Sequence, residues 1–156
     1  MANLAFSNPR SWSDVEAFLG SRQTRKVGYE TTMHYSWPYE SDFIAIRYHN
    51  TDIVVYRPDG TAQYTNGGWQ TSTTKDRISA FMPPSLSVFQ RDFMWRLARN
   101  RYSDNGYWVF AKNIGDYVDG MRVRLSDGQI LDVTNTYGDL RDYAALRPTL
   151  ETINAE

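Results

Sequence analysis

The sequence predicts an α+β fold: one domain over residues 1–156, mainly an antiparallel sheet of about six strands with two or three short helices. Three observations predict it. Runs rich in β-branched and aromatic residues alternate with polar ones at period two. Between the runs stand Pro58-Asp59-Gly60, Asn66-Gly67-Gly68 and Asp127-Gly128, turn sequences in which proline presets φ and glycine accepts φ above zero. Ser11–Leu19 and Thr73–Phe81 carry helical spacing next to a capping residue.

Ser11–Leu19 reads as the first helix, with Val15, Phe18 and Leu19 as its apolar stripe. Ser13 and Glu16 fit a capping box, and Gly20 fits the left-handed position past the end. A small basic cluster, Arg22, Arg25 and Lys26, follows. From Val27 the pattern turns to β, with Tyr29, Thr31, Met33 and Tyr35 alternating until Trp37-Pro38 breaks the strand. Phe43–Tyr48, Ile53–Tyr56 and Thr61–Thr65 are the next strands, and Trp69–Thr71 reads as a further short one.

Thr73 is the expected cap of a second helix, with Asp76 as its partner and Pro83-Pro84 as its stop. Residues 85–101 are ambiguous between a helix (Leu86, Phe89, Phe93, Leu97) and a hairpin around Asp92. Tyr107–Ala111, Met121–Leu125 and Gln129–Val133 read as strands, and Asp139–Leu146 as a last short helix. Trp69, Phe43, Ile53, Val55, Ile78, Phe81, Trp108 and Val123 are the expected core. Residues 1–10 and 148–156 are expected to fray.

Composition bounds the functions. Seventeen basic residues against 18 acidic ones give a net charge of −1, so no global field draws the chain to nucleic acid or an anionic membrane. The absence of cysteine excludes disulfides, thiolate metal sites and cysteine nucleophiles, and fits a reducing compartment. No apolar run approaches the length of a membrane span. Aromatic residues make up 15%, which suits a half-exposed sheet or an aromatic binding surface.

One block is specific: Ile46-Arg47-Tyr48-His49-Asn50-Thr51-Asp52-Ile53-Val54, then Pro58-Asp59-Gly60, then Gly67-Gly68-Trp69, Thr71 and Thr73-Thr74-Lys75-Asp76-Arg77-Ile78. It resembles a family of small tailed-bacteriophage proteins with no assigned activity. Arg25-Lys26 and Thr31-Thr32 upstream, and Tyr107-Trp108-Val109 and Asp119-Gly120-Met121 downstream, extend the resemblance over about the middle two-thirds of the chain. The resemblance implies a phage origin and a host-cytoplasmic setting. It carries no cofactor and no activity with it.

Four constellations are candidates for chemistry. Glycines that free the backbone, hydroxyls at Thr71, Thr73 and Thr74, and cations at Lys75 and Arg77 beside a helix start form a candidate anion or nucleotide site. Trp69, His49 and Thr51 complete it. The competing reading makes Gly-Gly a turn, the threonines strand and cap residues, and the cations solvated. Arg91, Trp95, Arg96, Arg99 and Arg101, interleaved with aromatics, suit nucleic acid or one amphipathic face salt-bridged to Asp92 and Asp104.

His34-Tyr35-Ser36 and His49-Asn50-Thr51 match the H-x-[ST] triplets of two-histidine phosphodiesterases, although they lie only about fifteen residues apart and His34 departs from the phage pattern. His49 with Asp52 could form a metal pair, or a base with its orienting carboxylate, provided the chain turns near Asn50. No metal cluster or cofactor motif is legible. The expected function is a non-enzymatic accessory protein of host takeover or anti-defence. It would bind a host factor or sequester a nucleotide-like ligand, and it could dimerise through an edge strand.

Overall fold

The computed structural model describes residues 4–36 and 43–133. Among these, ten strands form two antiparallel sheets. A meander runs through β1 (Thr24–Gly28), β2 (Thr31–Tyr35), β3 (Ile44–Tyr48), β4 (Thr51–Tyr56) and β5 (Thr61–Tyr64). The chain then leaves this sheet for a helix and three strands. It returns as β9 (Met121–Arg124), which pairs with β5, and ends the seven-stranded order β1-β2-β3-β4-β5-β9-β10 with β10 (Ile130–Val133). The excursion is a second sheet, β6 (Leu86–Arg91), β7 (Met94–Tyr102) and β8 (Trp108–Asp116).

The strand count exceeds the expected six, and three of the hairpins turn without glycine. Two-residue loops at Tyr29-Glu30, His49-Asn50 and Asp92-Phe93 join β1 to β2, β3 to β4 and β6 to β7. Positive φ falls on Glu30 (49°), His49 (54°), Asp92 (52°) and Phe93 (64°), the backbone sense a tight hairpin demands. Tyr29 therefore lies in a turn, not on a strand, and residues 85–101 are a hairpin. The glycine turns fall where the sequence put them. Gly60 (φ 86°) closes on Arg57 O, and Asp59 accepts both the amide and the hydroxyl of Thr61.

Both helices are capped two residues before the expected capping residue. Ser11 caps α1 (Trp12–Leu19) by accepting from the Asp14 amide, and Gly20 ends it at φ 63°. Thr71, not Thr73, caps α2 (Ser72–Ala80), accepting from the Thr74 amide at 3.2 Å. Residues 69–71 lead into that cap and form no strand. Asp139–Leu146 and residues 148–156 lie outside the described residues.

One face of the large sheet is apolar: Met33, Ile44, Ile46, Val54, Tyr56, Ala62, Tyr64 and Val123 are all buried. Each large side chain removed from water contributes roughly 1.5–3 kcal/mol. The helices cover this face. Tyr56 and Tyr64 hydroxyls both donate to Phe81 O, at 2.9 and 3.0 Å, and so tie down the end of α2. Residues 4–10 pack against the core. Ala5 N bonds Val27 O, Asn8 N bonds Ala80 O, and the Phe6 ring lies 5.0 Å from Phe18 and 6.3 Å from Tyr56.

The opposite face carries the cross-strand row His34, Ala45, Val55, Gln63 and Arg122. Of the expected core, Ile53, Ile78, Phe81 and Val123 are buried, and Phe43 and Val55 half-buried. Trp69 and Trp108 are exposed. No helix among the described residues is long and apolar enough to cross a membrane.

Candidate functional site

A cleft of about 370 Å³ opens between the β3–β4 turn and the start of α2. Tyr48, His49, Asn50, Thr51 and Ile53 line one side; Asn66, Trp69, Thr71, Thr73 and Thr74 line the other. It thus brings together Trp69, Thr71, Thr73, Thr74, His49 and Thr51 from the sequence-predicted site. Tyr48, Asn50, Ile53 and Asn66 were not foreseen; their signal was adjacency to the two turns.

Close packing of two loops builds the cleft. Asp119 holds the 65–68 loop from the start of β9: its carboxylate accepts from the Asn66 amide at 2.8 Å, the Thr65 hydroxyl at 3.2 Å and the Tyr117 hydroxyl at 2.9 Å. Asn66 in turn accepts from the Gly68 amide. Gly67 (φ 61°) then lies against Thr51, so closely that a β-carbon there would stand 2.6 Å from Thr51 Cγ2. Only glycine meets both the backbone sense and that approach. The turn delivers Trp69 to the rim with 64% of its surface exposed.

The hydroxyls form a chain across the floor. Thr71 Oγ1 lies 3.3 Å from Thr73 Oγ1 and donates to Thr74 Oγ1 at 2.9 Å, and the Tyr48 hydroxyl donates to Thr73 at 3.2 Å. The lining holds no Lys, Arg, Asp or Glu.

The two cations of the expected anion site are elsewhere. Arg77 is buried beneath the cleft wall. Its guanidinium donates to Thr31 Oγ1 (2.8 Å), Tyr29 O (3.2 Å) and Thr73 O (3.4 Å), and stacks 4.0 Å from the Tyr48 ring. Arg77 therefore latches α2 to the β1–β2 turn and supports the cleft through Tyr48. Lys75 is largely covered, with Nζ 3.8 Å from Asp76. Residues two apart on a helix face different ways, a signal the sequence already contained.

The nucleic-acid set is likewise dispersed. Trp95 is buried against Tyr117, Arg96 pairs with Asp116 at 2.7 Å, and Arg99 donates to Gly128 O at 2.9 Å, joining the two sheets. Burial lowers the Arg99 pKa. Arg91 and Arg101 are exposed.

The two histidines serve separate places. His34 lies on the polar face, with Nε2 3.0 Å from Asp52 and Nδ1 3.0 Å from Tyr35 O. The Asp52 hydrogen bond raises its pKa against the opposing effect of burial. Burial pushes Asp52 up, but hydrogen bonds from His34 and Arg47 outweigh it and hold the carboxyl below its usual range. Both acceptors call for N–H donors, which fixes the ring as an imidazolium when both bonds are made. His49, at the cleft rim, is 4.0 Å from Glu30. Asp52 therefore partners His34, and the expected His49–Asp52 pair does not form. Among the described residues no group of His, Asp and Glu is arranged to hold a metal ion.

Two antiparallel sheets, with helices on one face and a hydroxyl- and aromatic-lined cleft at a helix start, define an α+β, mainly antiparallel-sheet protein. The chain belongs to the Kyanoviridae Gp96 protein family, a phage protein family whose model matches residues 12–124. That span runs from α1 to the end of β9 and contains every cleft residue. A search of curated proteins and a search of solved structures each return no match.

Proposed function

We propose that this phage protein is a non-enzymatic binding protein of the host cytoplasm whose cleft takes the base-and-sugar part of a nucleotide-like ligand. The observation that carries this reading is the exposed Trp69 indole at the rim of a lining of hydroxyls, amides, rings and the aliphatic Ile53. An exposed tryptophan offers a flat apolar surface for a planar ring. Thr51, Thr73 and Asn50 offer hydrogen bonds to a sugar or a base edge. A cleft with few, well-placed polar groups on aromatic walls is the usual form of a small-molecule site. Among the described residues the lining carries one imidazole beside its hydroxyls and amides, groups that suit holding a ligand by hydrogen bonds.

The test is a thermal-shift and tryptophan-fluorescence screen with nucleosides, mononucleotides and cyclic dinucleotides. A binder at 100 times its Kd adds about 2.7 kcal/mol of stability. Trp69→Ala should abolish the shift while leaving the unliganded melting temperature nearly unchanged, because the indole is largely in solvent. No stabilisation by any of these compounds at millimolar concentration would remove the ligand reading and leave a host protein as the partner to seek.

A further inference from the structure

Six of the large apolar side chains that stand in solvent are on or beside the second sheet: Phe93, Met94, Tyr102, Tyr107, Trp108 and Phe110. The register places most of them on one surface. Tyr102 faces Trp108 across β7 and β8, Asn100 faces Phe110, and Phe89 faces Arg96. Phe89 and Phe110 meet over the middle strand with centroids 5.2 Å apart, and Tyr102 and Trp108 touch at 5.2 Å. By strand rise the row from Met94 to Tyr102 extends about 27 Å. An exposed aromatic surface of this extent marks a binding face.

Charge selects the occupant. Residues 86–116 carry five cations (Arg91, Arg96, Arg99, Arg101, Lys112) and three anions (Asp92, Asp104, Asp116), a net +2. The whole chain is −1, so the remainder is −3. Arg91 stands opposite Met94 at one end of the row, whereas Arg101, next to Tyr102 on β7 and opposite Val109, points to the other face. Arg10 lies 5.9 Å from the Trp108 ring. Rings for stacking, with cations at both ends of a sheet that is basic in an acidic chain, are the requirements of single-stranded nucleic acid.

We infer that the outer face of the β6–β7–β8 sheet binds single-stranded nucleic acid, with bases stacking on Tyr102, Trp108 and Phe110 and phosphates meeting Arg10 and Arg91. This face is distinct from the Trp69 cleft. It also differs from the segment the sequence suggested, because Trp95, Arg96 and Arg99 are committed to the fold.

Fluorescence anisotropy of the full chain with a labelled 15-nucleotide oligo-dT, a matching oligo-rU and a 15-base-pair duplex, in low salt, tests the inference. Single strands should bind more tightly than duplex, since only unpaired bases reach the rings. Trp108→Ala and Phe110→Ala should each weaken binding by roughly tenfold. Arg10→Ala and Arg91→Ala should each lower the salt slope by about 0.7. Trp69→Ala should leave oligonucleotide binding unchanged, and loss of nucleoside binding in that variant would not touch this result.

No single-strand binding at low salt overturns the inference. So does duplex binding as tight as single-strand binding, or indifference to the Trp108 and Phe110 variants. A protein or lipid vesicle that binds this face when oligonucleotides do not also overturns it. All four side chains are surface groups, and circular dichroism of each variant confirms the fold before binding is read.

Discussion

Replacing Arg77 with alanine separates a latch from a ligand-binding cation. The side chain is buried to 6% exposure, and its guanidinium has three oxygen acceptors and an aromatic face. A hydrogen bond to a charged group contributes about 1.5–3 kcal/mol, and a desolvated cation–π contact about 2 kcal/mol. These effects are not additive, because Thr31 Oγ1 also donates to Tyr29 O and survives the truncation. A net loss of about 3–4 kcal/mol follows. Unfolding entropy near 2.1 cal/mol/K per residue makes that roughly a 10 °C fall in melting temperature for a chain of this length. In urea, with a slope near 2 kcal/mol/M, the midpoint falls by about 1.5–2 M. Lys75→Ala, which loses only a 3.8 Å pair with its neighbour, should move either value little. An Arg77→Ala protein as stable as the parent would refute the latch. The anion reading of this residue would then have to be reopened.

Three further outcomes are expected. Gly67→Ala, with its β-carbon 2.6 Å from Thr51 Cγ2, should cost about 1–3 kcal/mol. Thr51→Ala should recover part of that loss in the double variant but should rescue nothing in Gly68→Ala, where the space is open; full additivity in urea melts would contradict the packing account. Tyr56→Phe or Tyr64→Phe alone should cost about 1 kcal/mol, because Phe81 O keeps one donor, while the double variant should cost more than the sum of the two. Stability should also pass through a plateau in pH. His34 has a raised pKa, so its contribution is complete below its unfolded value of 6.5 and fades as pH rises through the folded value. Asp52 has a lowered pKa, so its contribution is complete above 3.8 and fades as pH falls. Urea midpoints measured from pH 4 to 9 should therefore decline on the alkaline side in the parent and less so in His34→Gln; identical profiles would count against the imidazolium.

Turns with a strong local cause were legible, and turns chosen by tertiary pairing were not. Pro58-Asp59-Gly60 and Asp127-Gly128 carry their geometry in the residues themselves. Tyr29-Glu30, His49-Asn50 and Asp92-Phe93 adopt the same backbone sense with no glycine, because strand pairing on both sides outweighs a local cost of order 1 kcal/mol. Reading through Tyr29-Glu30 merged β1 and β2 into one expected strand, and the lack of a glycine at Asp92-Phe93 left that region undecided between helix and hairpin. The burial of tryptophan was illegible for a related reason. Trp69 and Trp108 have the same composition signal as the buried Trp95, and only the Gly67-Gly68 turn and the register of β8 decide which indoles meet water.

The helix at the cleft carried more information than its residue types suggested. Thr74, Arg77, Ile78 and Phe81 recur at spacings of three and four, and all are buried. A cation inside such a stripe points the same way as its apolar neighbours, so its charge must be met by the fold and not by a ligand. Lys75, two positions before it, points elsewhere. The periodicity alone therefore forbids both cations from closing on one anion, whatever the hydroxyls beside them do. If the cleft at the start of α2 takes the proposed ligand, selectivity there rests on ring stacking and hydrogen-bond direction, and a ligand that owes its affinity mainly to phosphate charge should bind no better than its uncharged nucleoside.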